Sequence, residues 1–238
     1  MLELQDVSVG YGRVAVVHQA SLTVPKGGAV AVMGHNGAGK STLLRAAAGL
    51  LPAKSGRILL DGEDVTHLKP NQRVRRGLGY VPQGQISFGQ MTTMENLQVV
   101  ADRVGRRRAD GRKNSATLIS EALDTFPALK DLLNRRAGLL SGGQRQQLSI
   151  ARTLVTEPRL LILDEPTEGI QPNVVAEIEH VITSLTDRGD LSVLLVEQHV
   201  GFALRATGYY YVLESGRVTS SGPGGPDAID AVRAAMAV

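Results

Sequence analysis

Glycine, lysine, hydroxyl and carboxylate groups recur along this chain at spacings that suit phosphate chemistry. Gly34-His35-Asn36-Gly37-Ala38-Gly39-Lys40-Ser41 fits the pattern G-x-x-x-x-G-K-[ST], with Thr42 directly after it. In such a loop Gly34, Asn36, Gly37, Ala38 and Gly39 let backbone N–H groups turn inward around phosphate oxygens, and the helix start adds partial positive charge. Lys40 then has the reach for terminal phosphates, and Ser41 has a hydroxyl suited to Mg²⁺. Asp164 and Glu165 end the aliphatic run LLIL, so both carboxylates emerge at the carboxyl end of a strand, where α/β sheets bind ligands. Asp164 is placed to hold Mg²⁺ through water, and Glu165 to polarise a water attacking a γ-phosphate. Gln83, after GYVP, carries an amide that could reach the metal or that water, although a loop glutamine is most often just solvated. Tyr11, in GYG, could stack on adenine, a contact worth roughly 1–3 kcal/mol by analogy with base stacking. A half-buried loop tyrosine is an equal alternative.

A second helix start has the same flavour. In LSGGQRQQ, Ser141 is followed three residues later by Gln144, which is the capping-box pattern and accounts for those two residues. It does not account for Gly142 and Gly143, since a glycine in a helix costs about 1 kcal/mol relative to alanine. Bare backbone there makes sense where an anion must approach closely.

These groups need a scaffold. GAVAVMG, RLLILDE and SVLLVE are nearly continuous aliphatic runs, as expected of parallel strands covered on both faces. LELQDVSV and ASLTV alternate and read as strands of an antiparallel sheet. GRILLDGEDV predicts a hairpin about Asp61-Gly62, and YYYVLESGRVTSSG another. KSTLLRAAAGL predicts a helix stopped by Gly49. From about residue 87 to 156 the pattern turns helical, with EALDTFPALKDLL and QRQQLSIARTL carrying apolar residues at three- and four-residue spacing. The expected organisation is one domain over 1–238, with a core from 1–86 and 157–238 and an inserted helical lobe at 87–156.

Bulk properties narrow the classes. The 238 residues hold no cysteine, which excludes disulfides and thiolate metal sites. A net charge of +3 is too small to argue for a nucleic-acid binder. No stretch approaches eighteen apolar residues, and the N-terminus lacks the pattern of a signal peptide. The basic stretch RVGRRRADGRK at 103–113 reads first as a solvated face, and second as a contact for acidic lipid or a partner. His18, His35, His67 and His180 show no metal-ligand spacing and read as surface or loop residues.

Tyr11, GHNGAGKST, YVPQ, LSGGQ and LLILDEPT occur in the order and spacing of ATP-binding-cassette ATPases, and the resemblance covers nearly the whole chain. It implies a P-loop α/β core with a parallel sheet, an antiparallel β part and an inserted α-helical subdomain, using ATP and Mg²⁺. In that family LSGGQ binds the γ-phosphate of ATP held by the phosphate loop of the other subunit. The resemblance therefore implies a head-to-tail dimer, of this chain with itself or with a homologous second ATPase subunit. It further implies two permease subunits, an extracytoplasmic solute-binding protein acting indirectly, and a peripheral place on the cytoplasmic face of the inner membrane. LLPAKSG, QRVRRGLGYVPQG, RLLILDEPTEGIQP and RGDLSVLLVEQ resemble the second ATPase subunit of importers for urea and branched-chain amino acids. EPTEGIQP and PAKSG are closer to the urea type.

The sequence departs from the wider family at two places. Gln171 in EGIQP stands where aspartate is usual, which puts cross-talk between the two sites in doubt. In LLVEQH, Gln198 falls in the register of the usual switch histidine, with His199 one residue late. A glutamine amide can donate a hydrogen bond to a γ-phosphate but does not titrate near neutral pH, so Gln198 is the expected sensor and His199 the rival. Two other readings stand beside transport. A cassette serving DNA repair or translation would be expected to carry a coiled-coil insertion or a second cassette. A regulatory module binding ATP without turnover is at odds with intact Lys40, Asp164 and Glu165.

Overall fold

The computed structural model describes residues 1–105, 113–189 and 191–236. The chain forms two compact units, one of Met1–Tyr80, Arg159–Glu165 and Glu179–Val238, the other of Val81–Pro158 and Pro166–Ile178. Most of the basic stretch at 103–113 lies outside the described residues.

The first unit begins with β1 (Leu2–Tyr11) and β2 (Val14–Val24), an antiparallel pair. Asp6 and Gln19, at φ +50° each, lie where its register shifts. Such bulges break the alternation, which is why only ASLTV stands out as a strand within the eleven residues of β2. Fully buried β3 (Ala29–Met33) runs into the glycine loop and α1 (Lys40–Ala47). β4 (Ala53–Leu60) and the two-residue β5 (Glu63–Asp64) make the hairpin about Asp61-Gly62, with β4 paired to β1. After α2 (Pro70–Arg75) comes β6 (Leu78–Val81).

The second unit carries α3 (Thr93–Gly105), α4 (Ser115–Thr125) and α5 (Gly142–Leu154). The helical pattern through EALDTFPALKDLL is interrupted: α4 ends at Thr125, and Phe126, at φ −128° and ψ 76°, leaves the helical region before a 3-10 turn at Pro127–Leu132. A residue preceding proline is pushed out of the helical region, which explains the break. Buried Asn96 on α3 accepts from Phe88 N–H and donates to the carbonyls of Phe88 and Thr92, pinning the loop before the helix.

Returning to the first unit, the chain forms β7 (Leu160–Asp164), then α6 (Pro172–Asp187), which starts in the second unit, then β8 (Ser192–Glu197), α7 (Val200–Ala206), β9 (Tyr209–Glu214), β10 (Arg217–Pro223) and α8 (Ile229–Met236). Two sheets result, in the orders β2-β1-β4-β5 and β10-β9-β3-β8-β7-β6. In the second, β9, β3, β8 and β7 run parallel and β10 closes an antiparallel edge. An apolar core including Val7, Leu22, Val30, Leu43, Leu44, Ile162 and Leu194 joins both sheets to α1. The fold is therefore mixed α/β, with an antiparallel sheet, a largely parallel sheet and a helical part.

The end of α1 shows how the core tolerates charge. Arg73, 1% exposed, donates to the carbonyls of Ala46, Ala47, Thr66 and Leu68. Two of these carbonyls lie at the α1 terminus, where helical donors run out; that of Ala46 also accepts from Gly49 N–H. Burial pushes the guanidinium pKa down to about 10.

Candidate nucleotide site

The first unit assembles most of the expected residues at the carboxyl ends of β3, β7 and β8. Gly39 caps α1 at φ +103°, a conformation open to glycine and strained for other residues. This lets the loop turn straight into the helix that carries Lys40, Ser41 and Thr42. Lys40 is 4% exposed, and its Nζ donates to the carbonyls of Gly34 and His35 at 2.9 and 3.2 Å. It also lies 3.3 Å from Oε1 of Glu165. Glu165 stands just past β7 at φ +46° with its N–H on the Val196 carbonyl. Strain of this kind in a residue other than glycine gathers at functional sites. Gln198 Nε2 donates to Glu165 Oε2 at 2.9 Å, so Lys40 and Gln198 meet different oxygens of the carboxylate. His199, exposed, precedes α7, and the N–H groups of Gln198 and His199 both point to the buried carboxylate of Glu197.

Asp164, 2% exposed, accepts from the Ser41 hydroxyl at 2.9 Å through Oδ1 and from the Tyr80 hydroxyl at 3.2 Å through Oδ2. Burial raises its pKa, and it is the main cause of a rise at Tyr80 as well. Ser41 and Asp164 thus present adjacent oxygen donors of the kind Mg²⁺ takes. Among the described residues no cluster of three acidic or histidine side chains could cage a metal. The fit is that of a magnesium ion held by one or two protein groups and completed by water and phosphate. Tyr11, half exposed, ends β1, and its hydroxyl accepts from Arg45 Nη1 at 3.0 Å. Bonding to the Thr42 side chain, and then to Arg45, lowers its pKa.

The second unit holds the other expected residues. Ser141 and Gln144 form the capping box at the start of α5, with the Ser141 Oγ accepting from Gln144 N–H and the Gln144 side chain accepting from Ser141 N–H. Gly143 is buried, and a Cβ there would come within 2.9 Å of Val174 on α6. Close packing of α5 on α6 is thus a second reason for this glycine, beside the anion approach expected from sequence. Gln83 Nε2 donates to Glu168 Oε2 at 2.8 Å. Gln85 bridges the Glu168 carbonyl and Arg145, tying the loop after β6 to α5.

Sequence reasoning passed over Arg45, Tyr80, Glu168 and Glu197. A signal existed for two of them. Arg45 lies one helical turn beyond Ser41, and a buried tyrosine seeks a partner for its hydroxyl. The histidines read as surface or loop residues include His35, exposed but with its ring meeting the Met236 carbonyl.

A phosphate loop at the end of buried parallel β3, with an acidic pair at the end of β7 two strands away in the same sheet, defines a nucleotide-binding P-loop protein. The ABC transporter family model matches residues 17–168, and the chain belongs to this family of ATP-hydrolysing cassettes. It is 38% identical over 222 residues to a protein of Archaeoglobus fulgidus named as the branched-chain amino acid transport ATP-binding protein LivF, covering 93% of this chain and 92% of the relative. The high-affinity branched-chain amino acid transport ATP-binding protein BraG of Pseudomonas aeruginosa is also 38% identical, over 92% of this chain and 91% of the relative. Among solved structures, the ADP conformation of MJ1267, an ATP-binding cassette of an ABC transporter, superposes with a TM-score of 0.83 at 27% identity, covering 98% of this chain and 94% of that one.

Proposed function

We propose that this chain is the ATPase subunit of a solute importer, peripheral on the cytoplasmic face of the inner membrane, and that the imported solute is urea. The observation that carries the catalytic part is the pair of contacts on Glu165. Lys40 and Gln198 hold its two oxygens, and both side chains are donors suited to a terminal phosphate. When ATP enters, those donors turn to the γ-phosphate, and Glu165 is left to accept a proton from the attacking water. Backbone N–H groups from Gly34 to Thr42 cradle the phosphates, and Tyr11 stacks on the base. Ser41 and Asp164, with Gln83 as the third group, would hold magnesium, which would supply neutralisation of phosphate charge.

Ser141, Gly142, Gly143 and Gln144 serve a nucleotide bound by another subunit, either a second copy or a homologue. Closing that head-to-tail dimer on ATP and reopening it after hydrolysis moves two permease subunits between orientations. The segment SFGQMTTMENL meets the permease. Its Phe88 and Met91 are exposed apolar side chains, as are nearby Ile86 and Leu139, and exposed apolar groups gathered in one region mark contact surfaces. Residues 87–156 act as the inserted helical lobe, and 1–86 with 157–238 as the nucleotide-binding core. Among the described residues no helix is long and apolar enough to cross a membrane.

The urea reading rests on EPTEGIQP and PAKSG. The identity to LivF and BraG favours a second reading, import of branched-chain amino acids. Uptake of labelled urea and labelled leucine is to be measured in cells whose only copy of this chain carries Lys40→Ala. Loss of urea uptake with leucine uptake intact is expected. The opposite pattern transfers the chain to amino-acid import, and retention of both refutes an importer of either solute.

A further inference from the structure

Tyr80 and Arg45 flank the nucleotide site without a part in the reaction above. On β6, Tyr80 turns its hydroxyl to Asp164 Oδ2 at 3.2 Å, opposite the Ser41 hydroxyl on Oδ1 at 2.9 Å. A carboxylate held by one hydroxyl on each oxygen has a fixed plane before metal or nucleotide arrives, and partners of this kind orient metal-holding groups. Arg45, on the exposed side of α1, donates Nη1 to the Tyr11 hydroxyl at 3.0 Å. Its positive charge also acts on the Tyr80 phenol and on Asp164. Two hydrogen-bonded pairs, Tyr11 with Arg45 and Tyr80 with Asp164, thus flank the site, and the charge of Arg45 acts from the first pair on the second.

We infer that Tyr80 and Arg45 are positioning residues: Tyr80 sets the plane in which Asp164 meets the metal, and Arg45 couples that carboxylate to the tyrosine that stacks on the base. The inference rests on the roles proposed above for Tyr11, Ser41 and Asp164.

The test is equilibrium binding of a fluorescent ATP analogue, mant-ATP, to the full chain, titrated with Mg²⁺ from an EDTA-treated start. Tyr80→Phe is expected to raise the Mg²⁺ concentration at half-effect by about tenfold while leaving affinity in EDTA unchanged. Arg45→Met is expected to weaken binding in EDTA, because Tyr11 loses its tether, and also to raise the Mg²⁺ midpoint. The double variant should shift the midpoint no further than the larger single variant, as for residues acting through one network. An unchanged midpoint in Tyr80→Phe, alongside a raised one in Asp164→Asn, overturns the role of Tyr80. Additive midpoint shifts overturn the coupling through Arg45. If Asp164→Asn itself leaves the midpoint unchanged, the assignment of the metal-holding carboxylate fails instead. Should Tyr80→Phe not fold, Arg45→Met at its exposed position carries the test alone, and an unshifted midpoint there refutes the inference.

Discussion

In the proposed mechanism Glu165 is the residue on which the chemistry turns, and its two oxygens meet different donors. Lys40 is a buried cation already shared with two loop carbonyls, whereas Gln198 offers a neutral amide. An amide in the sensor position orients without titrating, so the donor it offers is the same across neutral pH. Gln198→Ala should lower ATP turnover by about a hundredfold, the scale of losing one donor to developing charge. His199→Ala should leave turnover within about twofold and leave its pH profile between 6 and 8 unchanged, since His199 contributes its backbone N–H and an exposed ring. Phosphate release with MgATP as substrate measures both, and the reverse outcome would make His199 the sensor. The register of LLVEQH singled out Gln198, which the structure places against Glu165. Its partner was not legible, because nothing local to that strand says which carboxylate lies across the sheet.

At the scale of elements, α1 depends on a residue outside its own sequence. Gly49 marks its end as expected, with φ +78°, but the last carbonyls are satisfied by Arg73 from α2. Arg73→Met should lower stability by about 2–4 kcal/mol, through the charged hydrogen bonds lost in the core. Chemical denaturation monitored by circular dichroism checks this, and a loss below about 1 kcal/mol would mean that water replaces the guanidinium. The signature helix α5 carries a similar lesson. Its capping box could be read directly from Ser141 and Gln144, a local pattern. The contact of Gly143 with Val174 could not, because the sequence does not state which helix face meets which.

At the scale of the molecule, the proposed working unit has two subunits. Glu165→Gln should bind ATP without turning it over and so accumulate as a dimer, seen by light scattering on a sizing column with MgATP. Adding Ser141→Arg should return it to monomer, because a bulky side chain at an exposed helix start would block a phosphate held by the partner. A Glu165→Gln protein that stays monomeric with saturating MgATP would refute self-pairing and leave the homologous second subunit as the partner.

Local patterns in the sequence were enough to read the phosphate loop, the acidic pair, the capping box, the buried strands and both hairpins, because each depends on the types and spacing of near neighbours. Tertiary structure alone decided that Lys40 and Gln198 share Glu165, that Ser41 and Tyr80 share Asp164, and that Arg73 closes α1. Those partners lie on strands and helices distant in the chain. Hydrophobic periodicity fixes which face of an element is buried, whereas strand order and helix packing fix what that face meets.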